Sequence, residues 1–148
     1  MAWMTPKTDW VSTDTYEYSD LNRVENNIDA IADLIEIYAA RPVVDPLDTT
    51  RTRESLLYYD ALNIIEGKLN TLKAALYEPP AWIAPKTTWT SVYQIFDYID
   101  ANRLEGDLDA LYTLVLRKTA NLLYPSTDLI DSSFYPASDE YDVLGVEG

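Results

Sequence analysis

The hydrophobic residues of this chain fall into three stretches in which they recur every three or four positions. In the first stretch they occupy positions 21, 24, 28, 31, 35 and 38, a spacing that places them on one side of an α-helix. The same spacing recurs at positions 62 to 76 and at positions 101 to 115. The pattern predicts three amphipathic helices, over about 19–38, 60–77 and 97–123, each with one buried apolar stripe.

Capping residues and prolines set the predicted ends of these helices. Ser19 and Asp60 can each accept a hydrogen bond from a free N–H group of a first helical turn, so both are predicted N-caps. Pro42, Pro79 and Pro125 follow the three stretches, and proline cannot continue a helix. Short helical turns are also predicted just before the second and third helices, at about 56–59 and 91–96.

A motif with three fixed positions opens each predicted helix. A tyrosine (Tyr18, Tyr59 or Tyr98) is followed four residues later by asparagine, and glutamate comes three residues after that. Because one amphipathic helix cannot bury its stripe alone, repeats of about 40 residues must pack against one another. The predicted fold is therefore all-α: a three-helix bundle of repeats at about 1–41, 42–80 and 81–124, with an irregular acidic tail over 125–148.

A second motif, Trp-x-x-Pro-Lys-Thr-x-Trp, precedes the first and third helices, at residues 3–10 and 82–89. The middle repeat lacks it and has residues 41–55 in its place. Proline and threonine favour extended backbone, so these segments are predicted to be extended arms. The segments between the predicted helices are longer than the loops that connect helices in up-and-down bundles. Running along the bundle, they would let neighbouring helices lie parallel, although antiparallel packing also suits the helices themselves.

The asparagine, the glutamate and the residue after it form a polar stripe beside each apolar stripe. That last residue is glycine in two helices, where glycine costs about 1 kcal/mol relative to alanine, so close approach of another segment is indicated. We expect each stripe to bind an extended arm, with a Trp or Tyr ring over the glycine, and Gly106→Leu to lower the melting temperature by several degrees. The stripes comprise Asn22, Glu25, Asn26, Asn63, Glu66, Gly67, Asn102, Glu105 and Gly106.

Both polar and aromatic features have alternative interpretations. The asparagines and glutamates could merely cap and solubilise the first turns of the helices. A metal site is not predicted, because one carboxylate per repeat does not form a clustered calcium-binding loop. Trp3, Trp10, Trp82 and Trp89 are predicted to anchor the arms to the core, since each indole buries a large apolar area. The alternative is that paired indoles form stacking platforms for sugars.

Composition narrows the possible functions. The 148 residues contain neither cysteine nor histidine, which removes the common zinc, haem and iron–sulfur ligands and the usual base of nucleophilic catalysis. With no phosphate-binding or catalytic motif either, no enzyme, catalytic residue or cofactor is predicted. The net charge of −14 disfavours nucleic-acid and anionic-membrane partners. No signal peptide or membrane-spanning stretch is predicted.

The repeated motifs carry a resemblance to a known group of proteins. The segments Pro6-Lys-Thr-Asp-Trp10 and Asp20-Leu-Asn-Arg-Val-Glu-Asn-Asn27 resemble small tail-associated virion proteins of phages and prophages of Gram-positive bacteria. Those proteins look like tandem arrays of a Pro-Lys-Thr-x-Trp … Asp-x-Asn-Arg-x-Glu-x-Asn unit. The third copy here, residues 82–111, matches nearly as well, whereas the middle copy has Ile64 where the family has arginine. The resemblance covers residues 2–120.

The resemblance implies a structural or adaptor component of a virion, such as a tail tip, baseplate, fibre or collar, assembled in the host cytoplasm. Its expected partners are other virion proteins and further copies of itself, because virion parts repeat around symmetry axes. Two alternatives remain. One is a cell-surface module that binds a host glycan through its tryptophan pairs, and the other is a capsid-decorating or head-fibre protein.

Overall fold

The computed structural model describes residues 1–53, 59–90 and 95–123, with the side chains of 121–123 left out. Within these ranges the chain has three α-helices and no β-strand, so the all-α prediction is confirmed. The helices are α1 (Tyr18–Glu36), α2 (Tyr59–Ala75) and α3 (Tyr98–Leu123). The predicted tail and most of the two predicted turns lie outside the described residues.

The chain divides into two compact units, Met1–Leu116 and Arg117–Gly148. Only residues 117–123 of the second unit are described, as the last turns of α3. The first unit contains the three apolar stripes, the arms and the motif residues. No helix among the described residues is both long enough and apolar enough to cross a membrane.

The helices begin differently from the prediction. Glu17 is the N-cap of α1, and its backbone N–H donates to the Asp20 carboxylate at 2.7 Å. Asp97 and Asp100 repeat this contact before α3, at 3.1 Å. An acid three residues into the helix thus reaches back to the cap. The N-cap prediction for Ser19 is wrong because that residue already lies in the first turn of α1, and the prediction for Asp60, the second residue of α2, is wrong for the same reason.

The three predicted apolar stripes form one core. Val44, from the segment between α1 and α2, is fully buried with them, while Tyr38 and Leu76 at the ends of two stripes are half-buried. The buried core residues are Leu21, Val24, Ile28, Ile31, Ala32, Ile35, Val44, Ile65, Leu69, Leu72, Leu104, Leu108, Leu111 and Val115. Helices that share one core through matching stripes are compatible with a three-helix bundle.

Contacts at two levels give the relative direction of α1 and α3. Near their N-terminal ends, Arg23 of α1 pairs with Glu105 of α3. Further along both helices, the Met4 N–H binds Asn27 of α1 while the neighbouring Trp3 ring stacks on Tyr112 of α3. Moving toward the C-terminus of one helix therefore moves toward the C-terminus of the other. The two helices run parallel.

The same relation holds between α2 and α3. Arg103 of α3 pairs with Glu66 of α2, and further along, Ile83 binds Asp107 of α3 while Trp82 lies under the Lys73 ammonium of α2. Of the two packing modes that the sequence left open, these contacts indicate the parallel one. Parallel neighbours require connections that return along the helices, which explains the long segments before α2 and α3.

Candidate functional site: three clasps between arms and helices

Three segments without regular secondary structure lie against the helices: arm 1 (residues 1–11), arm 2 (41–53) and arm 3 (81–90). Each arm meets an Asn/Glu pair on a helix. We call these meetings clasp 1 (arm 2 on Asn22 and Glu25), clasp 2 (arm 3 on Asn63 and Glu66) and clasp 3 (arm 1 on Asn102 and Glu105). Every arm therefore binds the helix one repeat before its own, and arm 1 closes the cycle on α3.

In clasp 3 the asparagine side chain pairs with the main chain of a tryptophan. Asn102 Oδ1 accepts the Trp10 N–H at 2.8 Å, and Asn102 Nδ2 donates to the Trp10 carbonyl at 3.0 Å. Glu105, fully buried, accepts the Lys7 N–H and the Trp10 indole N–H, both at 3.1 Å. Arg23 completes the site by donating from Nε at 2.7 Å and from Nη2 at 2.5 Å to the same carboxylate. This bonding raises the pKa of Arg23.

Clasp 2 repeats these contacts with different residues. Asn63 accepts the Trp89 N–H at 2.7 Å and donates to the Trp89 carbonyl at 3.0 Å. Glu66, also fully buried, accepts the Lys86 N–H at 2.7 Å and the Trp89 indole N–H. Arg103 Nη2 lies 2.6 and 2.7 Å from the two oxygens of that carboxylate. The two tryptophan-bearing arms are thus held by the same set of bonds.

Clasp 1 keeps the geometry but changes the chemistry. Arg51 occupies the tryptophan position, since its N–H and carbonyl both pair with Asn22 at 3.0 Å. The buried Glu25 accepts the Asp48 N–H at 3.3 Å and a bond from the Arg51 guanidinium, which takes the place of the indole N–H. The Lys68 ammonium lies 3.7 Å from the same carboxylate.

The arginine that completes the other clasps has no counterpart in clasp 1. Arg23 of α1 and Arg103 of α3 directly follow their asparagines, and the matching residue of α2 is Ile64. Ile64 is largely exposed and lines an open cleft of about 230 Å³ together with Glu25 and Arg51. The cleft lies where an arginine at position 64 would extend toward Glu25, so clasp 1 receives its guanidinium from the arm instead.

Each clasp therefore holds one buried carboxylate that is neutralised by one guanidinium. A buried ionised carboxylate is costly unless it is paired and hydrogen-bonded. Glu25, Glu66 and Glu105 are each at most 2% exposed and each accept both arm N–H bonds and an arginine bond. The carboxylates are consequently fully occupied by contacts within the chain, and what they do is fasten an arm to a helix.

Each arm also contacts its own helix, through a residue that the sequence reasoning missed. Asn27, five positions after Asn22, accepts the Met4 N–H at 2.8 Å and donates to the Met4 carbonyl at 2.7 Å. In α2 the corresponding residue is Lys68, whose ammonium donates to the Pro46 carbonyl. A polar residue recurs at this position in all three copies, and that recurrence was the available signal.

In α3 the same position is Asp107, which is poorly satisfied. One carboxylate oxygen accepts the Ile83 N–H at 3.0 Å, while Asp107 Oδ2 is buried without a hydrogen-bond partner in the described part of the chain. An ionised aspartate cannot donate to an arm carbonyl as Asn27 does. Burial raises the pKa of Asp107 to about 6, because removal from water disfavours the charged form.

The four tryptophans lie at two kinds of position. Trp10 and Trp89 are 5% and 3% exposed and belong to the clasps, with Lys7 and Lys86 over their rings. Trp3 and Trp82 are half-buried against the core. Trp3 stacks on Tyr112 with ring centroids 3.8 Å apart, as described for α3 above. Each of the four indoles thus packs against the chain's own residues.

A row of four contacting aromatic rings connects clasp 3 to clasp 2. Trp10 contacts Tyr16 at 5.1 Å between ring centroids, Tyr16 contacts Phe96 at 4.8 Å, and Phe96 contacts Trp89 at 5.8 Å. Tyr16 and Phe96 occupy corresponding places just before α1 and α3. Burial raises the pKa of Tyr16, whose hydroxyl has no hydrogen-bond partner among the described residues. The rings give the arms an apolar attachment in addition to their polar bonds.

The expected ring over each glycine is not found. A Cβ added at Gly67 or Gly106 would meet no heavy atom of the described residues within 4 Å, so close approach of the described segments does not explain these glycines. The corresponding residue of α1, Asn26, donates from Nδ2 to the Ala2 carbonyl at 2.7 Å. The arms pass over the asparagine and the glutamate rather than over the glycine.

Comparison of the chain with protein-family models, with curated proteins and with solved structures found no match. Among the described residues, no group of three or more acidic side chains is arranged to hold a metal ion.

Proposed function

We propose that the chain is a structural or adaptor component of a phage or phage-like virion, such as a tail tip, baseplate, fibre or collar. The resemblance of its motifs to tail-associated virion proteins supports the class of protein. The single observation that carries the structural role is that the three buried glutamates are used to fasten arms to helices. Residues that would otherwise be candidates for catalysis or ligand binding already have partners within the chain.

The proposed architecture is three copies of one cassette, each made of an arm and a helix, packed in parallel around a shared core. Each arm binds its own helix and the preceding one, so it ties two cassettes together. Such cross-bracing suits a protein that must hold one shape within a larger assembly. We expect other virion proteins and further copies of the chain as partners, with assembly in the host cytoplasm.

The glycan-binding alternative has less support. A sugar stacks on an accessible indole face, whereas Trp10 and Trp89 are almost fully buried and Trp3 is covered by Tyr112. Of the four, Trp82 alone is half-buried without an aromatic neighbour in the part of the chain that is described. Trp3 and Trp82 are both half-buried, but within the described chain their rings are not in contact with each other. They do not form a paired platform there, so the glycan module is not favoured.

Immunogold labelling of purified particles from the phage that encodes the chain tests the proposal. Antibody against the chain is expected to place gold at the tail or its tip, at a regular number of copies per particle. Gold on the capsid would support the head-decorating alternative instead. If the chain is expressed during infection but absent from purified particles, the proposed function is wrong.

A further inference from the structure

The three clasps differ in how their arm and helix are joined along the chain. In clasp 2 the arm follows the helix that it binds, and its bonds to α2 span 20 to 26 residues. Clasp 1 has the same order, with spans of 23 to 29 residues. In clasp 3 the bonded residues lie 92 to 98 positions apart, because arm 1 is joined to α1 while its clasp is on α3. Clasp 3 therefore brings together two parts that no short connection links.

Clasp 3 also has the features of a peptide-binding site. Asn102 binds the main-chain N–H and carbonyl of Trp10, and Glu105 accepts the indole N–H of the same residue. Glu105 also accepts the main-chain N–H of Lys7, three residues earlier. The Lys7 ammonium lies 4.9 Å from the Trp10 ring centre. The matching ligand is an extended peptide containing Lys-x-x-Trp, and clasp 2 binds such a segment in the same way.

We infer that clasp 3 is a binding site for a Lys-Thr-x-Trp peptide supplied in trans, and that its ligand is arm 1 of a second copy of this chain. In the exchanged form, residues 11–17 cross from one copy to the other, and arm 1 makes its bonds with α1 and α3 of the partner. Exchange of an identical element requires no new interface chemistry. The inference deepens the proposed structural role and depends on it only for its biological purpose.

Arm 1 has a high effective concentration at clasp 3 of its own chain. Exchange between chains is therefore favoured when arm 1 binds its own chain more weakly or when the protein concentration is high. Two full-length variants exploit this. Trp10→Ala removes the anchor of arm 1 and leaves the α3 site intact, whereas Asn102→Ala damages the site and leaves the arm intact. When the two variants are mixed, the intact arm 1 of Asn102→Ala can bind the intact α3 site of Trp10→Ala and form one complete clasp 3 between chains. Neither variant can form a complete clasp 3 alone.

Native mass spectrometry of the mixture is expected to show a one-to-one heterodimer at a level at least tenfold above either homodimer. Circular dichroism establishes that both variants are folded. If the folded variants stay separate, or pair no more than each pairs with itself, the inference is wrong.

A matched pair at clasp 2 controls for damage in general. Trp89→Ala and Asn63→Ala remove the same contacts, but arm 3 lies between α2 and α3 and is held near its own site. Their mixture is expected to remain monomeric. Heterodimers at equal levels from this control pair would show that association does not depend on clasp 3, which would also contradict the inference.

A peptide titration keeps the test decisive if Trp10→Ala does not fold. A fluorescent peptide of residues 1–14 is titrated into Trp10→Phe, which keeps an aromatic ring but lacks the indole N–H. We expect it to bind at least tenfold more tightly than the same peptide with alanine in place of Trp10, and absence of that difference contradicts the inference. A chain that labels at the tail in particles yet shows no exchange would overturn this inference alone and leave the proposed function standing.

Discussion

Clasp 1 and clasp 3 place an arm on a helix with the same backbone bonds but balance the buried charge in different ways. In clasp 3 two residues have separate roles: Trp10 anchors the arm, and Arg23 from the neighbouring helix neutralises Glu105. In clasp 1 a single arm residue, Arg51, takes the tryptophan position and neutralises Glu25. What stays constant between them is one guanidinium for each buried carboxylate.

Each buried carboxylate keeps a guanidinium because an unpaired buried charge strongly destabilises the fold. Breaking a buried ion pair by removing one partner costs about 3–5 kcal/mol, more than most single side-chain changes. Isoleucine at position 64 provides no guanidinium for Glu25, so another cation is needed near that carboxylate. Arg51 and the more distant Lys68 supply it. The middle repeat looks degenerate in sequence, yet its charge balance is complete.

The largest expected effect is that of removing a clasp carboxylate. Glu105→Ala removes the acceptor of the Trp10 indole N–H and leaves the Arg23 guanidinium with Asp20 as its remaining partner among the described residues, so we expect a loss of about 3–5 kcal/mol in the free energy of unfolding. Glu25→Ala strands no indole and is expected to cost about 1 kcal/mol less. Urea denaturation measures both. An equal or larger loss for Glu25→Ala would break the proposed distinction between the clasps.

A double mutant tests whether the two solutions are interchangeable. Arg51→Trp removes the guanidinium from Glu25 and is expected to cost about 2 kcal/mol, since Lys68 remains 3.7 Å away. Adding Ile64→Arg places a guanidinium in the neighbouring cleft and is expected to recover most of that loss, with a coupling energy of about 2 kcal/mol. The four denaturation curves of the cycle give the coupling. Additive effects would mean that charge balance does not link the two positions.

The contrast between Asn27 and Asp107 gives a pH-dependent prediction. Because burial raises the pKa of Asp107 to about 6, above the 3.8 of an exposed aspartate, this group contributes most stability below pH 4. Its contribution falls as the pH rises from about 4 to 6, where the buried carboxyl ionises. Asp107→Asn keeps the acceptor for Ile83 and adds a donor, so we expect a gain of about 1–2 kcal/mol at pH 7.

The control for Asp107→Asn is the same comparison at acid pH. Near pH 3.5 the Asp107 carboxyl is protonated in the folded state and mostly protonated in the unfolded state, so the gain is expected to be far smaller than at pH 7. A gain of the same size at both values of pH would show that ionisation of Asp107 is not the cause.

The smallest effect concerns the glycines. Because a Cβ at Gly106 meets open space, Gly106→Ala is expected to stabilise the protein by about 0.5–1 kcal/mol through helix propensity alone. The melting temperature should rise by roughly 2–4 °C, as scanning calorimetry would measure. A lower melting temperature would restore the idea that the glycine is needed for close approach.

The sequence predicted the helices and their buried faces because apolar periodicity depends only on local geometry. It also pointed to the Asn/Glu stripes as places where an arm could lie. It could not say which arm meets which helix, since spacing reveals a face but not the partner across from it. For the same reason Arg51 was not recognised as the functional equivalent of Trp10, and the prediction for Gly106 failed because a repeated residue was given a packing role without a known neighbour.

Two tryptophans donate indole N–H hydrogen bonds to buried glutamates, and NMR hydrogen exchange of the indole protons measures whether these bonds form in solution. The chain has four tryptophans, so four indole N–H signals can be followed in one spectrum. We predict strong protection for Trp10 and Trp89 and fast exchange for Trp3 and Trp82, with Glu105→Gln weakening the protection of Trp10 far more than that of Trp89. Equal, fast exchange of all four indole protons would show that the buried indole–carboxylate bonds do not hold the arms in solution.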